Sequence, residues 1–335
     1  MGGSSFAAET AGAGGFVTAG PCLVLAGPTA SGKSALAVAL AQALGGEVVN
    51  ADSMQVYRDL SILTARPGAV ETGGVSHHLY GVLAGRETCA AGMWLAWMHR
   101  LLPEIWGRGR LPVVVGGTGL YLRALIHGLA PVPQVPAVAR AAAAADYDRL
   151  GEAAFAAELA ALDPVSAAEI PPRNRQRMIR ALEVARATGK PLSAWREEPH
   201  RGGLSRPPVT LLIDPDRVWL YERCDRRFLA MLDAGAWEQV ADALAAGLSV
   251  EDPVCRGLGT RALVAALAGE IGRDAAVERA QRETRNYAKR QLTWFRHQLA
   301  ADVVIRPPRD DPESPRFQAE MAAKAAALLE SAHKS

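Results

Sequence analysis

The sequence predicts an α/β fold: a parallel sheet flanked by helices, with an inserted, mostly helical subdomain. Three observations lead there. Short apolar, β-branched runs recur with glycine or proline at their ends. Helical stretches stand between these runs, the alternation that builds a parallel sheet. One long interval between two of the runs is helical and strand-poor.

Taken in order, "CLVLAG" (Cys22 to Gly27) is the first buried strand. The helix "SALAVALAQALG" follows, with Gly45 near its end. Between them Gly27, Pro28, Thr29, Ala30, Ser31, Gly32, Lys33 and Ser34 spell G-x-x-x-x-G-K-[ST], in the strand-then-helix setting that pattern requires. The fold is therefore P-loop NTPase-like. Backbone N–H groups of such a loop point at an anion, Lys33 adds a point charge, and the Ser34 hydroxyl can ligate Mg²⁺. Gly27 and Gly32 permit backbone that a side chain would block. The loop predicts a di- or triphosphate ligand without saying that a phosphoryl group moves.

"EVVNA" is a second strand, expected beside the first, and Asp52 follows it. Ligands sit at the carboxyl ends of parallel strands, so Asp52 is expected to face the phosphate site. A helix N-cap, a metal ligand and a general base are all open to it. Ser53, Gln55 and Tyr57 are groups able to touch an aromatic base. His77 and His78 read as a loop pair with a structural or substrate-gating role, since two neighbours alone chelate metal poorly. A helix spans Met93 to Ile105. "LPVVVGG" (Leu111 to Gly117) is the third strand, whose terminal glycines allow close backbone approach. Thr118 then offers a hydroxyl to the site or a cap to the next helix.

"APVPQVPAVAR" is a proline-rich hinge, and residues 134–206 form the helical insertion. Arg173, Arg175, Arg177, Arg180 and Arg186 cluster there, with Arg173, Arg177 and Arg180 on one helical face. Glu183 is the one acid in that run, so the charge is not expected to be paired within it. "VTLLIDP" (Val209 to Pro215) is the fourth strand and "DVVI" a final one. Between them "RAQRETRNYAKRQLTWFRHQ" interleaves arginine and lysine with Tyr287, Trp294 and Phe295, which suits RNA contact or a core. The expected domains are a disordered tail at 1–20, a core at 21–133 and 207–308, the inserted helical subdomain at 134–206, and a partly helical tail at 309–335.

Across 335 residues the net charge is only +2, so any nucleic-acid argument has to be local. The four cysteines are dispersed, without zinc spacing, which fits a reducing cytosol. No apolar run reaches about 18 residues, so no membrane span is expected.

"GPTASGKS", "NADSMQVYRDLSILTARP", "SHHLYG", "GGTGLYLRAL", "RQRMIRALEV" and "YAKRQLTWFR" occur here in the order and spacing of the tRNA dimethylallyltransferases, also called tRNA isopentenyltransferases. The resemblance covers about Cys22 to Arg306. It implies transfer of a dimethylallyl group from dimethylallyl diphosphate to N6 of adenosine 37 in the tRNA anticodon loop, with Mg²⁺. It also implies that the P-loop holds the donor diphosphate and that Asp52 and Thr118 are catalytic. Asp52, Ser53, Met54, Gln55, Thr118, Arg140, Gln176, Arg177, Arg180, Arg256 and Arg261 would meet tRNA. A cytoplasmic monomer is expected. The chain departs from the family pattern at Leu63 (often glycine), Gly81 (commonly acidic) and Thr260 (often tyrosine). The runner-up reading is a P-loop small-molecule or nucleoside kinase; an inactive RNA-binding module is a third.

Overall fold

The computed structural model describes residues 20–171 and 173–333. These fall into two compact units: one runs to Ile126 and resumes at Leu204, and the other is His127–Gly203. The expected tail over 1–19 lies outside the described residues.

In the first unit, strand β1 (Leu23–Ala26) is buried at every position. A strand apolar throughout needs cover on both faces, as in a helix-flanked parallel sheet. Helix α1 (Lys33–Leu44) ends at Gly45, whose φ of 65° lets its N–H return to the Ala41 carbonyl. Next come β2 (Gly46–Asn50), β3 (His77–His78), α2 (Ala91–Gly107), β4 (Leu111–Gly116) and α3 (Gly119–His127). Helix α2 buries Trp94, Met98, Leu101, Leu102 and Ile105, the period of a helix with one apolar face.

The second unit holds α4 (Ala137–Leu162), α5 (Pro164–Glu169), α6 (Arg175–Thr188) and α7 (Leu192–Arg196). Gly151, at φ 77°, breaks α4 in two. The unit has its own core around Phe155, Leu159, Met178, Ile179 and Leu182. Asp163 is fully buried there. Its carboxylate caps α5 through Ser166 N–H (3.0 Å) and accepts both the N–H (3.1 Å) and hydroxyl (2.6 Å) of Ser193. A buried charge is tolerated when its lone pairs are filled in this way.

The first unit then resumes with β5 (Val209–Ile213), α8 (Arg217–Asp233), α9 (Ala236–Ala245), a 3₁₀ turn (Pro253–Arg256), α10 (Thr260–Leu267), α11 (Arg273–Gln298), β6 (Val303–Ile305) and α12 (Pro315–His333). From α12, part of the segment expected as a tail, Met321, Ala322 and Ala325 join Leu36 and Leu40 of α1 in the main core.

All six strands form one parallel sheet in the order β3-β2-β4-β1-β5-β6. Two expectations change. Strand β2 is not beside β1; β4 stands between them, so the end of β2 is two strand spacings, about 10 Å, from the P-loop strand. Strand order depends on long-range pairing that no local pattern encodes. His77 and His78 are not loop residues but edge strand β3, paired with Val48 and Val49. His78 Nε2 lies 2.6 Å from the Glu47 carboxylate, which Arg108 also holds (2.7 Å). Those guanidinium and imidazole contacts draw the Glu47 carboxyl below its ordinary range, Arg108 most strongly.

Candidate active site

The loop between β1 and α1 is strained and braced. Gly32 sits at φ 86°, a left-handed conformation that suits glycine. Ala30 also lies there, at φ 62°, which costs a residue with a Cβ. It is held by packing against Trp219, Leu220 and Cys224 of α8 and Ala288 and Leu292 of α11. Its carbonyl accepts from Arg223 Nε at 3.0 Å. Gly27 is needed for a different reason: a Cβ there would press to 2.9 Å from Ser31 Oγ. Ser31 Oγ is buried with no partner among the described residues, which fits a loop built to hold an anion.

Two side chains absent from the sequence-derived site complete this loop. Gln291 of α11 accepts the Thr29 N–H (2.8 Å) and donates to the Gly117 carbonyl (2.8 Å), tying the P-loop to the end of β4. Arg227 of α8 donates to Thr29 Oγ1. Burial pulls the Lys33 ammonium down to about 8; Asp52 opposes this and Arg227 reinforces it. Lys33 Nζ donates to the Pro28 carbonyl at 3.2 Å. Ser34 stands exposed in the first turn of α1.

Asp52 does not cap a helix. Its Oδ1 accepts the N–H of Met54 (2.9 Å), a local turn, while its own N–H goes to Asn50 Oδ1 (2.8 Å). Asn50, fully buried, also donates to the Leu79 carbonyl at 3.0 Å. Thr118 Oγ1 accepts the Ser53 N–H (2.9 Å) and donates to Ser53 Oγ (3.3 Å). Thr118 thus fixes the turn that carries Asp52. Gln55 donates to the carbonyls of Thr64 (3.1 Å) and Ala65 (2.6 Å). Tyr57, expected at the base, is instead 3% exposed and belongs to the core.

Despite the intervening strand, the two parts open onto one pocket of about 330 Å³. Thr29, Arg227 and Arg290 bring polar groups and Asp52 brings the carboxylate. Met54, Leu63, Phe228, Met231 and Leu258 supply an apolar wall. Ser53 and Arg256 line it as well, and Tyr287 lines it with the Arg290 guanidinium 5.6 Å from its ring centre. A volume near the lower limit for ligand sites suits small reactants. A larger groove of about 450 Å³, between β6 and α12, contains none of these residues.

The remaining arginines fare differently from expectation. Glu183, 2% exposed, pairs with both Arg140 (3.3 Å) and Arg180 (2.6 Å). Arg175 pairs with Asp148, and Arg186 with Asp146 and Glu158. The run is therefore paired mostly from outside itself, by acids of α4, with Arg180–Glu183 its internal pair. Arg173 precedes α6 and so leaves the helical face assigned to it. Arg173, Gln176 and Arg177 are exposed, and no ion pair involves Arg177 among the described residues. Arg261 reaches Glu251 at 3.5 Å. On α11, Arg285 pairs with Asp225 and Arg296 with Asp214, while Phe295 is core.

Arg227 belongs to no quoted motif, and Gln291 stands inside "YAKRQLTWFR" without a role of its own there; each lies in a helical run whose role appears only when α8 and α11 close over the loop. Among the described residues, no group of three or more His, Cys, Asp or Glu is placed to hold a metal ion. No helix among them is long and apolar enough to cross a membrane.

Comparison with known proteins adds the following. The IPP transferase family profile matches residues 55–298, and an isopentenyl transferase profile matches 22–80. A tRNA dimethylallyltransferase of Parvibaculum lavamentivorans is 52% identical over 282 residues, 84% of this chain and 90% of that protein. The full-length tRNA isopentenylpyrophosphate transferase of Bacillus halodurans superposes with a TM-score of 0.68 at 32% identity, over 94% of this chain and 98% of that one. A eukaryotic dimethylallyltransferase acting on tRNA gives a TM-score of 0.75 at 25% identity, over 92% of this chain and 78% of that one.

Proposed function

Because the chain belongs to the IPP transferase family, we propose that it transfers a dimethylallyl group from dimethylallyl diphosphate to N6 of adenosine 37 in tRNA. The products are N6-(dimethylallyl)adenosine and diphosphate. The observation that carries this is the single pocket holding Thr29 and Arg227 of the phosphate side together with Asp52 and an apolar wall. A phosphate cradle facing aliphatic side chains suits a prenyl diphosphate.

The adenine amine is a weak nucleophile because its lone pair is delocalised into the ring. As N6 bonds to C1 of the donor, the C1–O bond breaks and its electrons leave with diphosphate. Asp52 takes the proton from N6. Loop N–H groups, Lys33 and Arg227 stabilise the charge that builds on the departing oxygen. Thr118 and Asn50 act as positioning residues, holding the turn that aims Asp52. The apolar wall keeps water from the cation-like carbon.

Ser34 would hold Mg²⁺ through its hydroxyl, with donor diphosphate and water as the remaining ligands. Bound there, it would neutralise leaving-group charge. Exposed Arg173, Gln176 and Arg177 suit contact with tRNA phosphates. The division into a catalytic core and a tRNA-binding helical insertion belongs to the same proposal, as does a cytoplasmic location, with which four free cysteines agree.

Incubation with labelled dimethylallyl diphosphate and unmodified tRNA tests the reading. Label in the tRNA, released as dimethylallyladenosine on digestion, is expected. ATP turnover with a small alcohol and no label in tRNA would instead indicate a kinase.

A further inference from the structure

Residues 306–314 join β6 to α12 and take no part in catalysis as derived above. The sequence places most of them in a tail, yet the segment is fastened at both ends. The Ile305 carbonyl accepts the Asp214 N–H at 2.8 Å, and α12 packs on α1 in the main core. Pro307, Pro308 and Pro312 stiffen the chain between, since each fixes its own φ. This strap crosses α8 and reaches the P-loop. Trp219 Nε1 donates to the Arg309 carbonyl (3.0 Å), and the Arg309 guanidinium pairs with Asp216 (2.9 Å). Glu313 then pairs with Arg223 at 3.3 Å. A Cβ at Gly32 would meet Glu313 Oε1 at 3.9 Å, so a carboxylate stands beside a loop made for anions.

An acid in that place works against anion binding unless it holds something the loop needs. Arg223 is that group. Its Nε donates to the Ala30 carbonyl at 3.0 Å, and its guanidinium carbon lies 4.8 Å from the centre of the Trp219 ring. Ala30 is the left-handed residue of the loop, and strained backbone persists only where its surroundings enforce it. A carbonyl left free there can turn toward the anion, where its oxygen repels it. We propose that Glu313 is a positioning residue for donor binding: it orients Arg223, which holds the Ala30 carbonyl and keeps the P-loop in the shape that receives diphosphate. The inference rests on the prenyl-donor reading above. The gain is preorganisation, so the strap acts on affinity and not on bond breaking. Both partners of the ion pair are partly exposed, which makes the pair itself weak. The charged hydrogen bond from Arg223 to Ala30 is the larger part.

The test measures donor KM, kcat and tRNA KM for the native protein, Glu313→Gln, Arg223→Ala and the double variant, at about 0.15 M salt to screen distant charge. Calorimetric binding of inorganic diphosphate with Mg²⁺ is the second readout. Arg223→Ala should raise donor KM and weaken diphosphate binding by about tenfold or more. Glu313→Gln should do the same by about two- to fivefold, with kcat and tRNA KM held. In the Arg223→Ala background Glu313→Gln should add nothing. An equal effect in both backgrounds, or tighter binding by Glu313→Gln, would overturn the proposal, because the carboxylate would then act on the anion directly. So would native affinity in either folded single variant. If Arg223→Ala loses cooperative melting, Arg223→Gln, which keeps an aliphatic stem over Trp219, carries the same cycle. A native protein that binds inorganic diphosphate but transfers nothing from dimethylallyl diphosphate would sink the donor reading, a separate result; the diphosphate cycle would still decide the role of Glu313.

Discussion

Helices α6 and α11 look alike in the sequence, each a run of arginines with few acids close by, yet they do opposite work. On α11 several groups are tied into the fold, while Arg282 and Lys289 stay exposed with no ion pair among the described residues. Arg285 and Arg296 pair with Asp225 and Asp214, and Gln291 braces the P-loop. Tyr287 and Arg290 line the pocket. On α6 the partners come from α4 and from buried Glu183, and exposed Arg173 and Arg177 carry no ion pair among the described residues. A basic run is thus a statement about charge in need of partners; whether nucleic acid supplies them depends on acids far away in sequence.

The comparison predicts that changes around α11 act on chemistry and changes on α6 act on tRNA affinity. The largest effect is expected at Arg227, which α8, packed on α11, places over the loop against Thr29. Arg227→Ala should lower kcat by about 10²–10³ by removing a charge that faces the leaving group. Unaltered kcat would place Arg227 outside the reacting site.

Gln291→Ala comes next. It strands a part-buried N–H on Thr29 and a buried carbonyl on Gly117, so the protein should lose about 1–3 kcal/mol of stability in denaturant titrations. Donor KM should rise with it, while tRNA KM holds.

On α6, Arg177→Glu should raise tRNA KM by about tenfold and reduce the salt slope by about one, without changing melting or donor KM. Arg180→Glu is the contrasting variant: it sets a second carboxylate beside buried Glu183 and should lower the melting temperature. Equal behaviour of the two would erase the distinction between a free and a spent arginine.

The smallest effect is on pH dependence. Because Lys33 in the free protein titrates near 8, below the usual lysine range, it is charged below that pH and neutral above it. Donor kcat/KM should therefore fall as pH rises through about 8, and Lys33→Arg should flatten that limb. Between about 8 and the usual lysine value the unfolded chain binds the proton more readily, so the unliganded protein should gain slight stability with rising pH.

Local patterns made β1, β4, β5 and the P-loop legible, because buried strands and a phosphate loop are written in adjacent residues. The order of strands was not, since β4 enters between β2 and β1 by pairing across more than sixty positions. Asp52 could be singled out, but the Thr118 clasp on its turn needed two segments, 65 positions apart, brought together. The bracing by Gln291 and Arg227, and the reach of Arg140 to Glu183 forty-three positions away, were hidden for the same reason. A solitary polar residue on a helix announces a partner only when the other element arrives.

Single-turnover transfer by Asp52→Asn, measured alongside donor binding, bears most directly on the central claim. A carboxylate that removes the N6 proton as the carbon–nitrogen bond forms predicts unchanged donor affinity with transfer slowed by about 10²-fold or more. Transfer near the native rate, or a loss explained wholly by weaker donor binding, would contradict it.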